Sequence, residues 1–509
     1  MRTNQNLRVH LFNLRGDQQY RGAHAGKNNL ALETIRVGLN EQGFYSLSFV
    51  PNRPIESGRP EDIWRAVLPQ LEASVHSDRL NIFAFSVNTH DYYKLPPLIA
   101  RLKENFPGAL FVAGGPHFVR EQLVDASGKP YRDTVQIGLD DGLDVVFTGH
   151  CQSFIEFICR YAAKIGEAEA RGLFHSKNRD QIVGVKRSVY PRLLSVPRLK
   201  FAEGNGIIET ITENACSHGC GICSANKGRL GFTRKVLYKS LLEMVEAVQY
   251  GHIGFYNINT FLRKNPLLLE LLEKIEAPGD FITTKNASFD PSLLLDPGAL
   301  ATIKRAINIG FNDFFVGAET ASPRIAQLIG IRGHRGKIKD KACLEAEEKA
   351  LINFIELLKR QLGNPLCYFR VTLSYVITPF ETATSIQRMF DQMERYLSLA
   401  SDELDIAANV IPLAPFPGTQ VRRDFVHLLE DPERFRFFDY DYYWDWKNDL
   451  GQQLHLLDQF AQRGMDRYRR GNVAEAATVN RALMEEAFSD QQRLASAEQR
   501  EHLFDDLTA

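Results

Sequence analysis

From residue 7 onward, short apolar runs alternate with longer segments whose apolar residues recur every third or fourth position. The short runs "LRVHLFNL", "YSLSFV", "LNIFAFSV", "ALFVAGG" and "DVVFTG" are rich in β-branched and aromatic residues and are mostly apolar on both parities, the pattern of strands buried on both faces. Between them lie amphipathic stretches such as "NNLALETIRVGLNEQG" and "LPPLIARLKENF", the second with proline in its first turn, where a missing amide hydrogen costs little. Strands joined by helical crossovers predict an α/β fold, a doubly wound parallel sheet over residues 1–166, closed by the helix "SFIEFICRYAAKIG".

Residues 167–205 lose this period and carry "VYPRLLSVPRLKF", whose prolines suit an extended linker. A second series fills residues 206–420, with strands "GIIETIT", "IGFYNIN", "FITTKNAS", "DFFVGAE", "CYFRVTLSYVI" and "ELDIAANVIPL". Helices between them include "KVLYKSLLEMVEAVQYG", "NPLLLELLEKIE", "ALATIKRAINIG" and "KIKDKACLEAEEKALINFIELLKRQLG". Six β/α units are too few for a complete eight-stranded barrel and predict a partial one, with its chemistry at the carboxyl ends of the strands. Residues 421–509 read as helical and open on the aromatic stretch "RFRFFDYDYYWDWKNDLGQQLHLLDQF", either a lid over a pocket or a flank packed on the barrel.

Composition narrows the partners. Of 509 residues, 44% are apolar and 24% charged, enough to build two or three cores, and a formal net charge of -1 without a basic run argues against a nucleic-acid surface. No apolar stretch approaches membrane-spanning length and the first residues lack a signal-peptide core, so the expected setting is the cytoplasm and the expected partner a small molecule or peptide. Seven cysteines in a reducing compartment do not suggest a disulfide framework, and Cys151, Cys159, Cys343 and Cys367 stand singly as small apolar residues.

The remaining three crowd into "ENACSHGCGIC", as Cys216, Cys220 and Cys223, where the first strand of the second series ends. A structural zinc site wants four ligands, and His218 is the local candidate for a fourth; ferredoxin-type clusters also use four cysteines. Three thiolates on a 4Fe-4S cluster would instead leave one iron free to chelate a ligand.

This CxxxCxxC triplet resembles the signature of the radical S-adenosylmethionine (SAM) superfamily. The resemblance implies that Cys216, Cys220 and Cys223 hold a 4Fe-4S cluster whose free iron binds the methionine moiety of SAM, and that an external flavodoxin- or ferredoxin-type donor reduces it. "DFFVGAETAS" resembles the family's fourth-strand "GxE" segment, making Glu319 a contact to the nucleoside hydroxyls or the methionine amine. "VITPFETATSI" resembles the "GxPGET" segment through Pro379, Glu381 and Thr382, with Ile377 and Phe380 where glycines are usual, and "PFPGTQV" matches a sixth-strand ending through Pro417, Gly418 and Thr419. Two departures stand out: Ile222 replaces the frequent aromatic before the third cysteine, leaving only an apolar contact to adenine, and Asn257 stands where relatives often show aspartate.

Strand parity adds candidates. In "CYFRVTLSYV", Arg370, Thr372 and Ser374 share one face and Val371, Leu373 and Tyr375 the other. An inward Arg370 near the active end would pair with the methionine carboxylate. The alternative is an arginine at an exposed edge or in a structural ion pair.

The first domain, "ALFVAGGPH" followed by "DVVFTGHCQSFIEFI", is similar to segments of the cobalamin-binding radical SAM enzymes, so the resemblance implies a Rossmann-like doubly wound sheet, then a partial (β/α)6 radical SAM barrel and a helical C-terminal region. It nominates Ser86, Asn88 and Thr89 beside the corrin, with Gly114 and Gly115 letting backbone approach the cobalamin tail. The DxHxxG histidine loop of classical cobalamin proteins is absent from "NLRGDQQYRGAHAGK", and His150 replaces a usual glutamate.

The function implied is a cobalamin-dependent C-methyltransferase. One SAM would methylate cob(I)alamin, a second would yield a 5'-deoxyadenosyl radical, and the substrate radical would take the methyl group. No protein acid or base is required, and no conventional catalytic residue is assigned. The alternative keeps the cluster without methyl transfer, for a rearrangement, cyclisation or transfer of another SAM fragment. A zinc- or corrinoid-sensing protein is the remote one.

Overall fold

The computed structural model describes residues 7–14, 30–41, 47–50, 60–75, 79–148, 152–158, 207–210, 218–223, 251–255, 282–308, 310–333, 336–361, 368–433, 446–447, 450–451, 454–455 and 457–458. Cys216, Asn257 and His150, the linker, the two helices expected between residues 231 and 276, and most of residues 434–509 lie outside them.

The first sheet has five parallel strands, β1 (Leu7–Asn13), β2 (Leu47–Val50), β3 (Leu80–Ser86), β4 (Leu110–Gly114) and β5 (Val145–Phe147), in the order β2-β1-β3-β4-β5. Alternate residues feed two cores. Phe12, Phe83, Phe85 and Phe111 pack on one face with residues of the helices Pro60–Ser74 and Leu95–Asn105, while Val9, Leu11, Ile82 and Val112 pack on the other with the helices Leu30–Glu41 and Gln152–Phe157. Both parities are apolar because both are covered, as the sequence predicts. In this strand order the chain reverses direction between β1 and β3, where open α/β sheets form a crevice at the carboxyl edge.

The second sheet has six parallel strands, β6 (Ile207–Thr210), β7 (Gly251–Phe255), β8 (Ile282–Phe289), β9 (Phe311–Glu319), β10 (Phe369–Ile377) and β11 (Leu404–Pro412), each paired with its neighbour in sequence. This singly wound order is that of a partial barrel. Phe314 on β9 meets Phe354 of the helix Lys341–Gln361, with ring centroids 5.3 Å apart, and the Tyr375 hydroxyl on β10 donates to Gln392 of the helix Ala383–Leu397 at 3.0 Å. That parity therefore faces the helices, and Gly317, Glu319, Ser374 and Asn409 belong to the opposite face. On it, Ser374 stands in register with Gly317 and Asn409.

The two sheets meet through the segment after β11. Ala414 belongs to the core of the first sheet, and Ile411 and Phe416 pack against it. Beyond this point Trp446 is buried, meets Phe380 edge-on and Phe425 at a tilt, and donates its indole N–H to Leu413 O at 3.1 Å. With Leu454 and Leu457 it joins the barrel core, so the described part of the aromatic segment acts as a flank.

Candidate active site at the strand ends

The cysteine loop is held by backbone. Gly221 N–H donates to Gly330 O at 2.8 Å, and Val421 N–H donates to Gly221 O at 3.1 Å, so the loop is threaded between the segment after β9 and the turn after β11. A Cβ on Gly221 would lie 2.4 Å from Ile329 O, a contact no side chain sustains. Cys223 N–H donates to Cys220 O at 3.2 Å, closing a turn that carries both thiols, and Ile222 between them packs on the barrel core.

Cys220 is half-buried. Its Sγ accepts from Arg332 N–H at 3.2 Å and lies 3.3 Å from Arg332 O as donor. Burial pushes the thiol up to about 12, so a metal must displace its proton on binding. His218 is buried with Nδ1 2.6 Å from Gly333 O, which commits that nitrogen to the loop and not to a fourth ligand position. Thiolate-forming sulfurs on a tight turn, one of them receiving a backbone N–H, fit an iron–sulfur group in their donor chemistry.

Glu319 closes β9 at the same end. It alone among the described non-glycine residues has a positive φ, 57°, a left-handed conformation that costs energy and marks a position held by its surroundings. Thr320 N–H reaches back to Ala318 O at 2.7 Å around it. Burial raises its carboxyl to about 7, with Lys339 opposing the shift and Asp290 adding to it. The carboxyl folds over Gly317, where a Cβ would lie 2.8 Å from Oε1.

Ser374 is buried on the same face, opposite Gly317. Arg370 is a correction. It is the second residue of β10, roughly 20 Å below the carboxyl end at the usual strand rise, and it is half exposed beside Asp405 at 3.5 Å. Parity left its face open; its face is the inner one, but its height along the strand sets it far from the carboxyl end, as the ion-pair alternative has it.

The "TPFET" and "PFPGT" segments are built as turns. Glu381 is buried and accepts from the Thr378 amide at 3.4 Å, the Thr378 hydroxyl at 3.2 Å and the Ser385 hydroxyl. Thr382 and Ser385 form a capping box on the helix Ala383–Leu397. Phe380, where the family pattern has glycine, puts its ring against Phe425 and Trp446. Thr419 caps the helix Gln420–Asp424 by accepting from Arg422 N–H at 3.2 Å.

At the carboxyl edge of the first sheet, Ser86 ends β3 and Asn88 follows, both half-buried, while Thr89 is buried. Asn88 Nδ2 lies 3.5 Å from Asp91, and Asp91 pairs with Lys94 at 2.7 Å. Lys94 Nζ also donates to Leu14 O at 3.1 Å, tying the ends of β1 and β3 across the crevice. His117 is buried, stacked on Tyr92 at 4.1 Å, and held neutral by burial and by Arg422. Gly114 ends β4 and Gly115 follows it at φ 123°. A Cβ on Gly115 would lie 2.3 Å from Val87 O, so the close approach that requires glycine is made by the protein's own backbone.

Residues legible only in the structure are Glu121, Arg422, Asp290, Lys339 and Glu347. Glu121 and Arg422 join the two sheets; the other three form a buried charged cluster beside Glu319. No local pattern marks them: Lys339 falls in "KIKDKACLEAEEKALINFIELLKRQLG", read as one amphipathic helix, whereas the helix begins at Lys341 and Lys339 lies before it.

No family model and no curated protein matches the chain. A solved structure of TsrM, a radical SAM methyltransferase from Kitasatospora setae with cobalamin and a [4Fe-4S] cluster bound, is similar over 82% of this chain and 77% of its own, at 14% identity and a TM-score of 0.55. A second, with tryptophan substrate and the SAM analogue aza-SAM, covers 82% of this chain and 75% of its own at 14% identity and a TM-score of 0.53. The strand orders of both sheets, the cysteine loop at the barrel's carboxyl end and this likeness lead to one conclusion: the chain has the fold of the cobalamin-binding radical SAM enzymes.

Proposed function

We propose that this protein is a radical SAM enzyme and, more specifically, a cobalamin-dependent methyltransferase acting on a small molecule or peptide. The observation that carries the reading is the seating of the Cys220–Cys223 turn between Gly330 and Val421, at the strand end that also presents Glu319. When bound, the cluster supplies the electron that cleaves SAM. Cys216, Cys220 and Cys223 would hold it, Ile222 would offer apolar surface to the nucleoside, and Glu319 and Ser374 would orient SAM by hydrogen bonds. Asn257 is the remaining proposed contact.

Ser86 and Asn88, half-buried at the carboxyl end of β3, and Thr89 beside them would offer polar partners to a corrinoid's amide fringe. Gly114 and the Gly115 turn shape that edge. The chain's work is alignment and exclusion of water, and the buried junction around Arg422 fixes one sheet against the other for that purpose. The electron comes from an external flavodoxin- or ferredoxin-type donor.

Anaerobic reconstitution with iron, sulfide and hydroxocobalamin, followed by mass spectrometry, tests this. Both 5'-deoxyadenosine and S-adenosylhomocysteine are expected with a competent substrate. A second reading, a cobalamin-independent radical SAM enzyme, is favoured by Gly115, whose conformation Val87 explains without a ligand. It predicts deoxyadenosine alone and no retained corrinoid.

A further inference from the structure

We propose that Lys339 is a positioning residue for the cysteine loop: it sets the segment of residues 330–339 so that the Arg332 amide rests on the sulfur of Cys220. The inference rests on the reading of Cys220 as a cluster ligand.

The segment's described residues, 330–333 and 336–339, pair as a short hairpin. Arg332 and Ile338 form an antiparallel bridge, Lys339 N–H donates to Ile331 O at 3.0 Å, and Gly333 N–H donates to Lys337 O at 2.9 Å. One strand of it grips the cysteine loop at three points. Gly330 O accepts from Gly221, Arg332 N–H donates to Cys220 Sγ, and Gly333 O meets His218. The facing strand carries Lys339, paired across from Ile331 and fully buried, whose ammonium donates to Asp290 at 2.9 Å and Glu347 at 2.8 Å. Asp290 follows β8 and Glu347 sits on the helix Lys341–Gln361, so one cation ties the hairpin to two separate elements.

Burying three ionisable groups contributes little net stability compared with apolar packing, but it fixes direction, because each acceptor needs a defined donor. An apolar side chain would fill the space without setting the hairpin's height over the cysteine turn. A backbone N–H on a cluster ligand sulfur stabilises the more negative, reduced state, and such bonds are among the determinants of cluster potential. Lys339 therefore acts on the cluster through Arg332 N–H, with no contact of its own to the reacting atoms.

The test has two arms on the full chain. In cluster-free protein under anaerobic conditions, alkylation of Cys220 by iodoacetamide is followed by peptide mass spectrometry in the wild type, Lys339→Met, Glu347→Gln and the double variant Asp290→Asn/Glu347→Gln. The expected result is at least a fivefold faster reaction in Lys339→Met, with the double variant between it and the wild type. In reconstituted protein, redox titration monitored by electron paramagnetic resonance is expected to place the Lys339→Met midpoint below the wild type. Should Lys339→Met fail to fold, the graded order of the two acceptor variants carries the test. Unchanged Cys220 reactivity and an unchanged midpoint in folded variants would overturn the proposal. If no variant, wild type included, assembles a cluster, the functional reading falls, while the alkylation order still decides whether Lys339 sets the loop.

Discussion

Glu121, on the loop after β4, and Arg422, on the helix that follows β11, form an ion pair at 2.9 Å with both side chains at most 5% exposed. The same carboxylate accepts from Gly418 N–H at 2.9 Å, and the guanidinium also donates to Pro415 O and Pro432 O. Five donors on a planar fork suit this convergence, and a lysine would not reproduce it. The pair locks the carboxyl edge of one sheet against the carboxyl edge of the other.

Removing one partner leaves a buried charge uncompensated. Arg422→Met is expected to lower stability by about 3–5 kcal/mol. Joint replacement, Glu121→Gln with Arg422→Met, is expected to recover part of the loss. Chemical denaturation of both variants measures this, and Arg422→Met within about 0.5 kcal/mol of wild type would show that the junction does not depend on the pair.

Gly317→Ala tests the placement of Glu319. The added Cβ would sit 2.8 Å from the carboxyl oxygen, so the side chain must swing away. On the proposed role, SAM affinity falls about tenfold, equivalent to about 1.4 kcal/mol, while the fold survives. Equilibrium binding of SAM to the reconstituted protein reads the effect, and unchanged affinity would remove Glu319 from the site.

Much of this architecture is legible in the residues. Runs apolar on both parities announce strands covered on both faces, and the boundaries of β1, β3, β4 and β9 follow them closely because turn residues flank each run. The cysteine spacing and "GAE" point to the carboxyl ends of the second sheet's strands, where the Cys220–Cys223 turn and Glu319 lie. Arg370 shows where such reading stops: parity gives a face, but height along the strand depends on where the strand begins, which alternation does not encode. Lys339 and Arg422 were invisible for a different reason. Their burial arises from elements far apart in sequence, and nothing in a local window separates a buried basic residue from a solvated one.

Arg370 yields a prediction of its own. It is half exposed, and its ion pair with Asp405 is open to water, which leaves such pairs worth little. Arg370→Ala is expected to change stability by less than about 0.5 kcal/mol and to leave SAM binding intact. A tenfold loss of SAM affinity would restore it to the site.

Glu381 sets a pH dependence whose sign follows from its surroundings. Burial raises its carboxyl to about 7, against an ordinary value of 4.5, although Ser385 and Thr378 pull in the other direction. The folded state therefore binds a proton more tightly than the unfolded chain. Its contribution is fully present below pH 4.5 and is lost as pH rises through 7. Over that window the wild type should lose about 3 kcal/mol relative to Glu381→Gln, which keeps a polar group in the turn but cannot ionise. Denaturant titrations of both proteins between pH 5 and 8 give the difference directly, and comparing them cancels the contribution of every other titrating group. A stability gap that stays flat across this range, or that widens in favour of the wild type as pH rises, would mean that Glu381 is ionised and well solvated in the fold, and that the Thr378–Ser385 turn is held by other groups.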